Sequence, residues 1–430
     1  MRLTDLRSAW SGLTARGTSF LTAGVVAFAC ALLLGQSDLV RVAALLAVLP
    51  VVVVLVMAAQ QLHLAVTRVT DPPRGSVGEH VDVHVEVVNR AGRRTPLLLL
   101  EDTLPAGLVA STRVVLPPLR PREAARVAYR LLAARRGRYA VGPARLVSVE
   151  PFGLVERTWE ATSTDELLVR PVVHELPGVL PVRRTGRGGD SDLGGAGVAG
   201  DADLNVREYR QGDDLRRVHW PTTARRGELM VRPDMHPQDH NAVVVVDTRA
   251  EAHRGEGDAS SLEDVVSAAA SLAVHASDLG QRVVLLGDGQ EPLLSSHDSA
   301  HRDAADDDPV EDALDRLALV RAGGADRLGD AVEQLPRYVP STVVAVLGEV
   351  GPEDVENLAG SCRDAVRAAL VCETTTWEQL SPGRARGLRE RHDAAVSRLA
   401  DAGWRVAVWR AGEPLADVWA RLEAGAGVHA

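Results

Sequence analysis

Two uncharged, apolar stretches stand almost back to back near the amino terminus, and they constrain this chain more than any other feature. Residues 18–35 (TSFLTAGVVAFACALLLG) carry no charge, and after the polar break Gln36-Ser37-Asp38 a second run from Leu39 to Ala59 carries only Arg41, near its outer end. Each run is close to the ~20 residues that a helix needs to cross a hydrocarbon core. A cleaved leader accounts for the first run alone. The second follows at once with no small-residue cleavage site between them, so the pattern predicts a transmembrane helical hairpin over residues 1–60. Pro50, inside the second run, is tolerated in a membrane helix. Arg2, Arg7 and Arg16 precede the hairpin and Arg68 and Arg74 follow it. That asymmetry predicts a multi-pass plasma-membrane protein with both termini and all soluble domains in the cytoplasm.

The remainder of a 430-residue chain is too long for one ordinary core. Its 48 basic residues are all arginine, against 58 acids, for a net charge of −10. An acidic balance argues against nucleic-acid binding, which needs phosphate neutralisation. The absence of lysine from the sequence excludes a Walker A lysine, a Schiff-base lysine and a kinase-type phosphate lysine. Aromatic residues make up only 3%, so the cores must be aliphatic. Cys30, Cys362 and Cys372 form neither a disulfide framework nor a metal-ligand spacing, which fits a reducing compartment.

Hydrophobic periodicity divides the soluble part. Over residues 70–172 the pattern alternates: Val81, Val83, Val85 and Val87 face one way with Asp82, His84 and Glu86 between them. With further strands expected at 96–101, 111–116, 123–132, 144–149 and 166–170, this reads as a small β-sandwich. Residues 173–240 form a Gly- and Arg-rich linker with an arginine-aromatic segment. Gly195, Gly197 and Gly200 match G-x-G-x-x-G formally, but they neither follow a strand nor open a helix, and read as loop. The acidic run His297–Asp312 likewise reads as a solvated loop. From 241 to 430 the period changes to βα alternation. Strands are expected at Ala242–Val246, Arg282–Leu286, Thr342–Leu347, 366–371 and Arg405–Trp409, and helices at Leu262–Leu279, 310–319, 328–335, 352–360, 388–402 and 414–423. Buried apolar strands alternating with helices predict a doubly wound parallel sheet.

Residues 207–232 concentrate seven arginines, four acids and two aromatics in a chain poor in aromatics. Gly212-Asp213 reads as a turn, with Asp213 placed to cap a short helix through Trp220. Arginine beside Trp and Tyr favours stacked and bidentate contacts, and suits either a structural clasp or a partner-binding hot spot. Arg207, Tyr209, Gly212, Asp213, Arg216 or Arg217, Trp220, Ala224 and Arg225 reproduce the spacing R-x-Y-x-x-G-D-x-x-R-x-x-x-W-x-x-x-A-R. With it stand Arg135-Arg136-Gly137-Arg138-Tyr139, Val141-Gly142-Pro143 and Glu150-Pro151-Phe152-Gly153-Leu154. On these motifs the sequence resembles the domain of unknown function 58 family along nearly its whole length. It departs from the family at Pro221-Thr222-Thr223, where a polar residue and serine commonly precede Ala-Arg. The resemblance implies a membrane-anchored protein with a von Willebrand factor type A-like carboxyl half. It also implies partnership with a MoxR-type AAA+ ATPase and its client proteins, and no established enzymatic activity.

In type A domains, the resemblance further implies, a D-x-S-x-S run after the first strand binds Mg²⁺ through hard oxygens. Here that place reads Asp247-Thr248-Arg249-Ala250-Glu251. Both serines are replaced, and Arg249 is placed to neutralise Asp247 or Glu251 without an ion. Asp288 and Glu349 occupy further strand ends, where such sheets place ligands. The expectation is a degenerate adhesion site without Mg²⁺ and with no other cofactor. There is no H-E-x-x-H, since His174-Glu175 leads into Leu-Pro, and no G-x-S-x-G or C-x-x-C. His219, alone beside Trp220, reads as structural, and Cys372 as a small apolar residue at a strand end. No nucleophile stands with an evident base, so the chain is expected to be a non-enzymatic adaptor. A membrane-associated hydrolase and a constitutive structural subunit of an envelope complex are the alternatives.

Overall fold

The computed structural model describes residues 10–59, 63–149, 152–178, 207–208, 223–225, 227–228, 230–231, 241–287, 293–295, 309–323 and 328–424. They divide into two compact units, Met1–Val172 with Leu314–Val320, and Val173–Ala313 with Arg321–Ala430.

The first unit opens with helices α1 (Ala15–Leu34) and α2 (Ser37–Ala59), joined through Gly35 at φ 64°. Small residues line their seam. Ala31 and Ala43 are buried, and a Cβ at Gly24 would lie 2.8 Å from the backbone nitrogen of Ala47, so glycine there permits the close approach. The outward faces are bare hydrocarbon, with Val25 65%, Leu33 87% and Leu45 66% exposed. Water does not tolerate such a surface, and both helices are long and apolar enough to cross a membrane.

Eleven strands follow: β1 (Leu64–Asp71), β2 (Arg74–Ser76), β3 (His80–Asn89), β4 (Leu98–Asp102), β5 (Leu108–Val109), β6 (Arg113–Leu116), β7 (Ala124–Ala133), β8 (Gly137–Val141), β9 (Ala144–Val149), β10 (Glu156–Ala161) and β11 (Asp165–Arg170). They form sheets ordered β1-β3-β7-β5, β10-β9-β4-β6 and β2-β11-β8 in a sandwich-like arrangement. The alternation along β3 is realised as drawn: Val81, Val83, Val85 and Val87 lie in a core with Leu98, Leu100, Leu131 and Leu146. The sheets begin earlier than residue 70, at Leu64, because β1 pairs with β3 along its whole length. Strands β1, β2, β5, β8 and β10 are not among the expected ones; β2 and β5 are only three and two residues long, and β10 (ERTWEA) buries no residue fully, so it carries no apolar alternation to read.

A buried polar knot holds the sandwich. Arg68 donates through Nε and Nη2 to Asp102 and through Nη1 to the carbonyls of Val141 (3.1 Å) and Ser163 (2.6 Å). Tyr129 donates to Asp102 at 2.6 Å. Burial, reinforced by Asp102, holds the Tyr129 phenol well above its ordinary pKa, so it stays a donor.

The second unit contains the short ladder of β12 (Arg207–Glu208) with β13 (Met230–Val231), and a six-stranded sheet. Its strands are β14 (Asn241–Val246), β15 (Arg282–Leu286), β16 (Leu294–Ser295), β17 (Thr342–Leu347), β18 (Val366–Cys372) and β19 (Arg405–Trp409), in the order β16-β15-β14-β17-β18-β19. All pairs are parallel except β15 with β16. Every residue of β14 and β17 is buried, as expected of central strands covered on both faces. The helices are α3 (Ser261–Asp278), α4 (Pro309–Leu319), whose residues from Leu314 onward belong to the first unit, α5 (Gly329–Gln334), α6 (Pro352–Gly360), α7 (Pro382–Asp401) and α8 (Leu415–Glu423). Helix α7 starts six residues ahead of the expected position, 388. Pro382 occupies its first turn, and the arginine-rich opening is largely exposed and carries no apolar stripe. In chain order the architecture is a membrane-length hairpin, a sandwich and a von Willebrand factor type A-like doubly wound sheet.

Candidate functional site

In the six-stranded sheet β14 comes first, β15 lies to one side of it and β17 to the other, so the strand order reverses between β14 and β17. Open α/β sheets place ligand chemistry beyond the carboxyl ends of the strands at that point. Two segments meet there: residues 247–254 after β14, and Gly348-Glu349 after β17.

Asp247 is fully buried. Its Oδ1 accepts from Arg249 Nε (2.9 Å) and Arg249 N (3.3 Å), and its Oδ2 from Arg249 Nη2 (2.9 Å) and Gly348 N (3.1 Å). Four donors fill the roughly four acceptor sites of a carboxylate. Arg249 also donates through Nη1 to Asp354 Oδ2 (2.8 Å) and through Nη2 to the Glu349 carbonyl (3.2 Å). Asp354 stands in the first turn of α6 and accepts from Gly351 N as well (3.1 Å). Burial works against the Arg249 charge, but hydrogen bonds to Asp247 and the fields of both carboxylates outweigh it and hold its pKa above the ordinary arginine value. A Cβ at Gly348 would run into the Ala252 carbonyl, so the two loops close on each other only with glycine there.

Around this centre His253 Nε2 lies 2.7 Å from the Asp247 carbonyl and Nδ1 3.1 Å from Ser261 Oγ. A carbonyl only accepts, so Nε2 carries the proton and Nδ1 accepts from the hydroxyl. Burial lowers the His253 pKa, with Asp247 only partly opposing. Outward, Glu349 bridges Arg254 (2.8 Å) and the exposed Arg391 (3.0 Å). Glu373 likewise holds Arg410 (2.8 Å) and Arg389 (3.5 Å). The edge is therefore a buried arginine-carboxylate cluster beneath a rim of charged pairs.

Of the residues singled out in the sequence, the fold brings together Asp247, Arg249 and Glu349. Glu251 is exposed in a single 3-10 turn, Ala250–Ala252, and does not pair with Arg249. Asp288, Tyr209, Gly212, Asp213, Arg216 and Trp220 lie outside the described residues, as do Gly195, Gly197, Gly200 and His219. Arg207 lies in β12 and Arg225 is exposed. Asp354 escaped sequence reading. An acid in the first turn of a helix after Gly351-Pro352 is ordinary, and nothing in its spacing ties it to a residue 105 positions away. Cys372 is 1% exposed, and burial raises its thiol pKa well above the ordinary value.

The upstream motifs are structural in this fold. Val141 gives its carbonyl to Arg68, and Gly142, at φ 98°, leaves room that a Cβ would take from the Arg68 guanidinium. Tyr139 donates to the Arg135 carbonyl (2.9 Å), and Arg136 to the carbonyls of Leu317 (3.0 Å) and Val320 (2.5 Å) in the segment belonging to the same unit.

Fold and site define a chain with a membrane-length hairpin, a sandwich and a type A-like sheet whose ligand edge carries an arginine in the carboxylate cluster. The profile of the family described as "Protein of unknown function DUF58" matches residues 205–303. The uncharacterized protein YeaD of Bacillus subtilis (strain 168) is 25% identical over 307 residues, covering 68% of this chain and 72% of YeaD. Among solved structures, the CARDB domain of a Pyrococcus furiosus protein in complex with di-metal ions is 17% identical. It covers 25% of this chain and 93% of its own, at a TM-score of 0.20. A FixG-related protein from Vibrio parahaemolyticus is 8% identical, covering 25% of this chain and 95% of its own, at 0.17. Scores this low give these structures no bearing on the site; the DUF58-like segment is what the comparisons add.

Proposed function

We propose that this chain is a non-enzymatic, membrane-anchored adaptor that presents the edge of its type A-like sheet to other proteins. In this reading it is a multi-pass plasma-membrane protein divided at residues 1–60, 70–172, 173–240 and 241–430, with both termini and its soluble domains in the cytoplasm. It serves as partner of a MoxR-type AAA+ ATPase acting on envelope or client complexes. The observation that carries the reading is Asp247: at the point where a doubly wound sheet holds its chemistry, all its acceptor sites are taken by Arg249 and backbone donors. A carboxylate with its acceptor sites so filled has none left to offer a substrate or a metal ion. The charged rim above it, with Arg391 60% exposed on Glu349, offers the kind of surface that steers a protein partner.

The test is purification of the full chain from native membranes with ATP present and after its depletion. Nucleotide-dependent recovery of a AAA+ ATPase supports the reading, and constant recovery of the same partners supports a structural subunit instead. Protease added to intact spheroplasts should leave the region after residue 60 whole; its degradation refutes the cytoplasmic orientation.

A further inference from the structure

The loop at Phe152–Val155 is fastened to the hairpin. Thr14, the N-cap of α1, donates through its hydroxyl to the Gly153 carbonyl (2.7 Å) and through its backbone to the Leu154 carbonyl (3.0 Å). Glu156 N donates to the Gly12 carbonyl (2.8 Å), and Leu13 bridges Val155. A Cβ at Gly17 would strike the Leu154 carbonyl, so this contact also depends on glycine. Leu154 and Val155 are buried against Val54, Met57 and Ala58 of α2. Helix α2 ends at Ala59, so at about 1.5 Å per residue this contact lies within roughly 8 Å of the helix end. In a spanning hairpin that is the depth of the headgroup and acyl boundary.

At that level the loop turns Phe152 outward, 60% exposed. Exposed Arg16 lies beside Gly153, its Nη1 3.4 Å from where a Cβ there would stand. Arg157 reaches the Met57 carbonyl (2.9 Å) and stacks over Trp159 at 5.0 Å. Trp10, just before α1, is 46% exposed. Aromatic rings and arginines collected at one end of an apolar hairpin are the composition of a bilayer interface. We propose that the Phe152–Val155 loop is a membrane foot: Phe152 enters the acyl boundary of a bilayer containing anionic phospholipid, the exposed Arg16 faces its phosphates, and Arg157 holds the neighbouring strand to α2. This rests on the reading of α1 and α2 as a bilayer-spanning hairpin. The occupant is lipid rather than protein because the loop packs on α2 and is continuous with the exposed apolar surface of the hairpin, which in a spanning hairpin meets hydrocarbon. Its consequence is a sandwich held at one tilt on the membrane instead of swinging on a tether.

The test uses the full chain with Cys30→Ala and Cys362→Ala, Cys372 being buried, reconstituted in nanodiscs of phosphatidylethanolamine and phosphatidylglycerol. A bimane label is placed at Phe152→Cys, at Val25→Cys in the middle of α1, or at Val109→Cys. Val109 pairs with Leu132, which stands beside His80 at the far end of β3 from Asn89, about 30 Å along the strand from the membrane-proximal start of β1. Nitroxide carried on the lipid acyl chains should quench the labels at 25 and 152 and spare 109, and aqueous iodide should quench 109 severalfold more than 152. Nitroxide quenching at 25 with free iodide access at 152 overturns the foot and leaves the hairpin standing. Shielding of 152 from both quenchers means that a second copy covers it, and also overturns the foot. No nitroxide quenching at 25 overturns the hairpin reading and the foot with it.

Discussion

Arg249 lies across Asp247 two residues before it in the chain, its Nε and Nη2 each 2.9 Å from a different oxygen of the one carboxylate, with both side chains buried. Arginine-carboxylate pairs are frequently bidentate in this fork-to-carboxylate way. Here a local turn makes the pair, and the remaining Nη1 is left to reach Asp354 on another element at 2.8 Å. The guanidinium thus stands between two carboxylates at the switch point, with its positive charge fixed by the sequence.

Replacing that cation should expose how much depends on it. Arg249→Met keeps the bulk but leaves Asp247 and Asp354 buried without their partner, and should cost about 3–5 kcal/mol in urea denaturation. Arg249→Ser removes the bulk as well and supplies a hydroxyl. Millimolar Mg²⁺ should then raise the melting temperature of the Ser variant and leave that of the parent unchanged, because the hard-oxygen set becomes available only when the guanidinium is gone. An EDTA-reversible Mg²⁺ effect on the parent, lost in Asp247→Ala, would show that an ion and Arg249 share the site.

The knot in the sandwich makes a second prediction. Tyr129→Phe deletes one hydrogen bond to a buried carboxylate and should cost about 1.5–3 kcal/mol. Arg68→Met should cost about 3–5 kcal/mol. Both residues act on Asp102, so the double variant should lose less than the sum of the two. Strict additivity in the denaturation curves would mean that Tyr129 and Arg68 are not coupled through Asp102.

Acidification should destabilise the α/β unit. Burial pushes the His253 and His392 pKa values below their ordinary position, so below about 6.5 the unfolded chain binds more protons than the folded one. Stability from these two groups is intact above the unfolded pKa and falls as pH drops towards the folded values. Asp264 acts in the opposite sense, its pKa raised by burial, and returns some stability at lower pH. Melting temperatures between about pH 7.5 and about pH 5.5 should fall, and His253→Gln, which keeps one donor and one acceptor, should flatten the slope. A flat profile for the parent would mean that neither imidazole resists protonation in the fold.

The elements that were legible in the sequence are those whose burial leaves a period. β3 shows alternate valines, while β14 and β17 show unbroken apolar runs, so one face or both faces of the sheet can be read directly. β10 and the first two turns of α7 bury too little to leave such a mark. The site divided in the same way. Asp247 and Arg249 follow a strand that any reading would stop at, whereas Asp354 enters through the tertiary placement of α6, and Arg391 through a helix whose polar face looks ordinary. Sequence can point to the strand end where chemistry gathers; it does not show which distant side chain completes the charge balance there.

The arginine-aromatic segment carries the last prediction. Arg225 is exposed, so Arg225→Ala should melt like the parent and weaken binding to the proposed ATPase partner by at least about 2 kcal/mol, roughly thirtyfold in affinity. From the sequence alone, Trp220 in one short run with Asp213 and Arg216 is expected to act as a packed clasp, and on that expectation Trp220→Ala should cost about 3–5 kcal/mol of stability. The two variants therefore place their losses in different measurements, a thermal melt and a partner titration. If both melt like the parent and both keep the partner, the segment is neither clasp nor interface, and the binding role proposed for it fails.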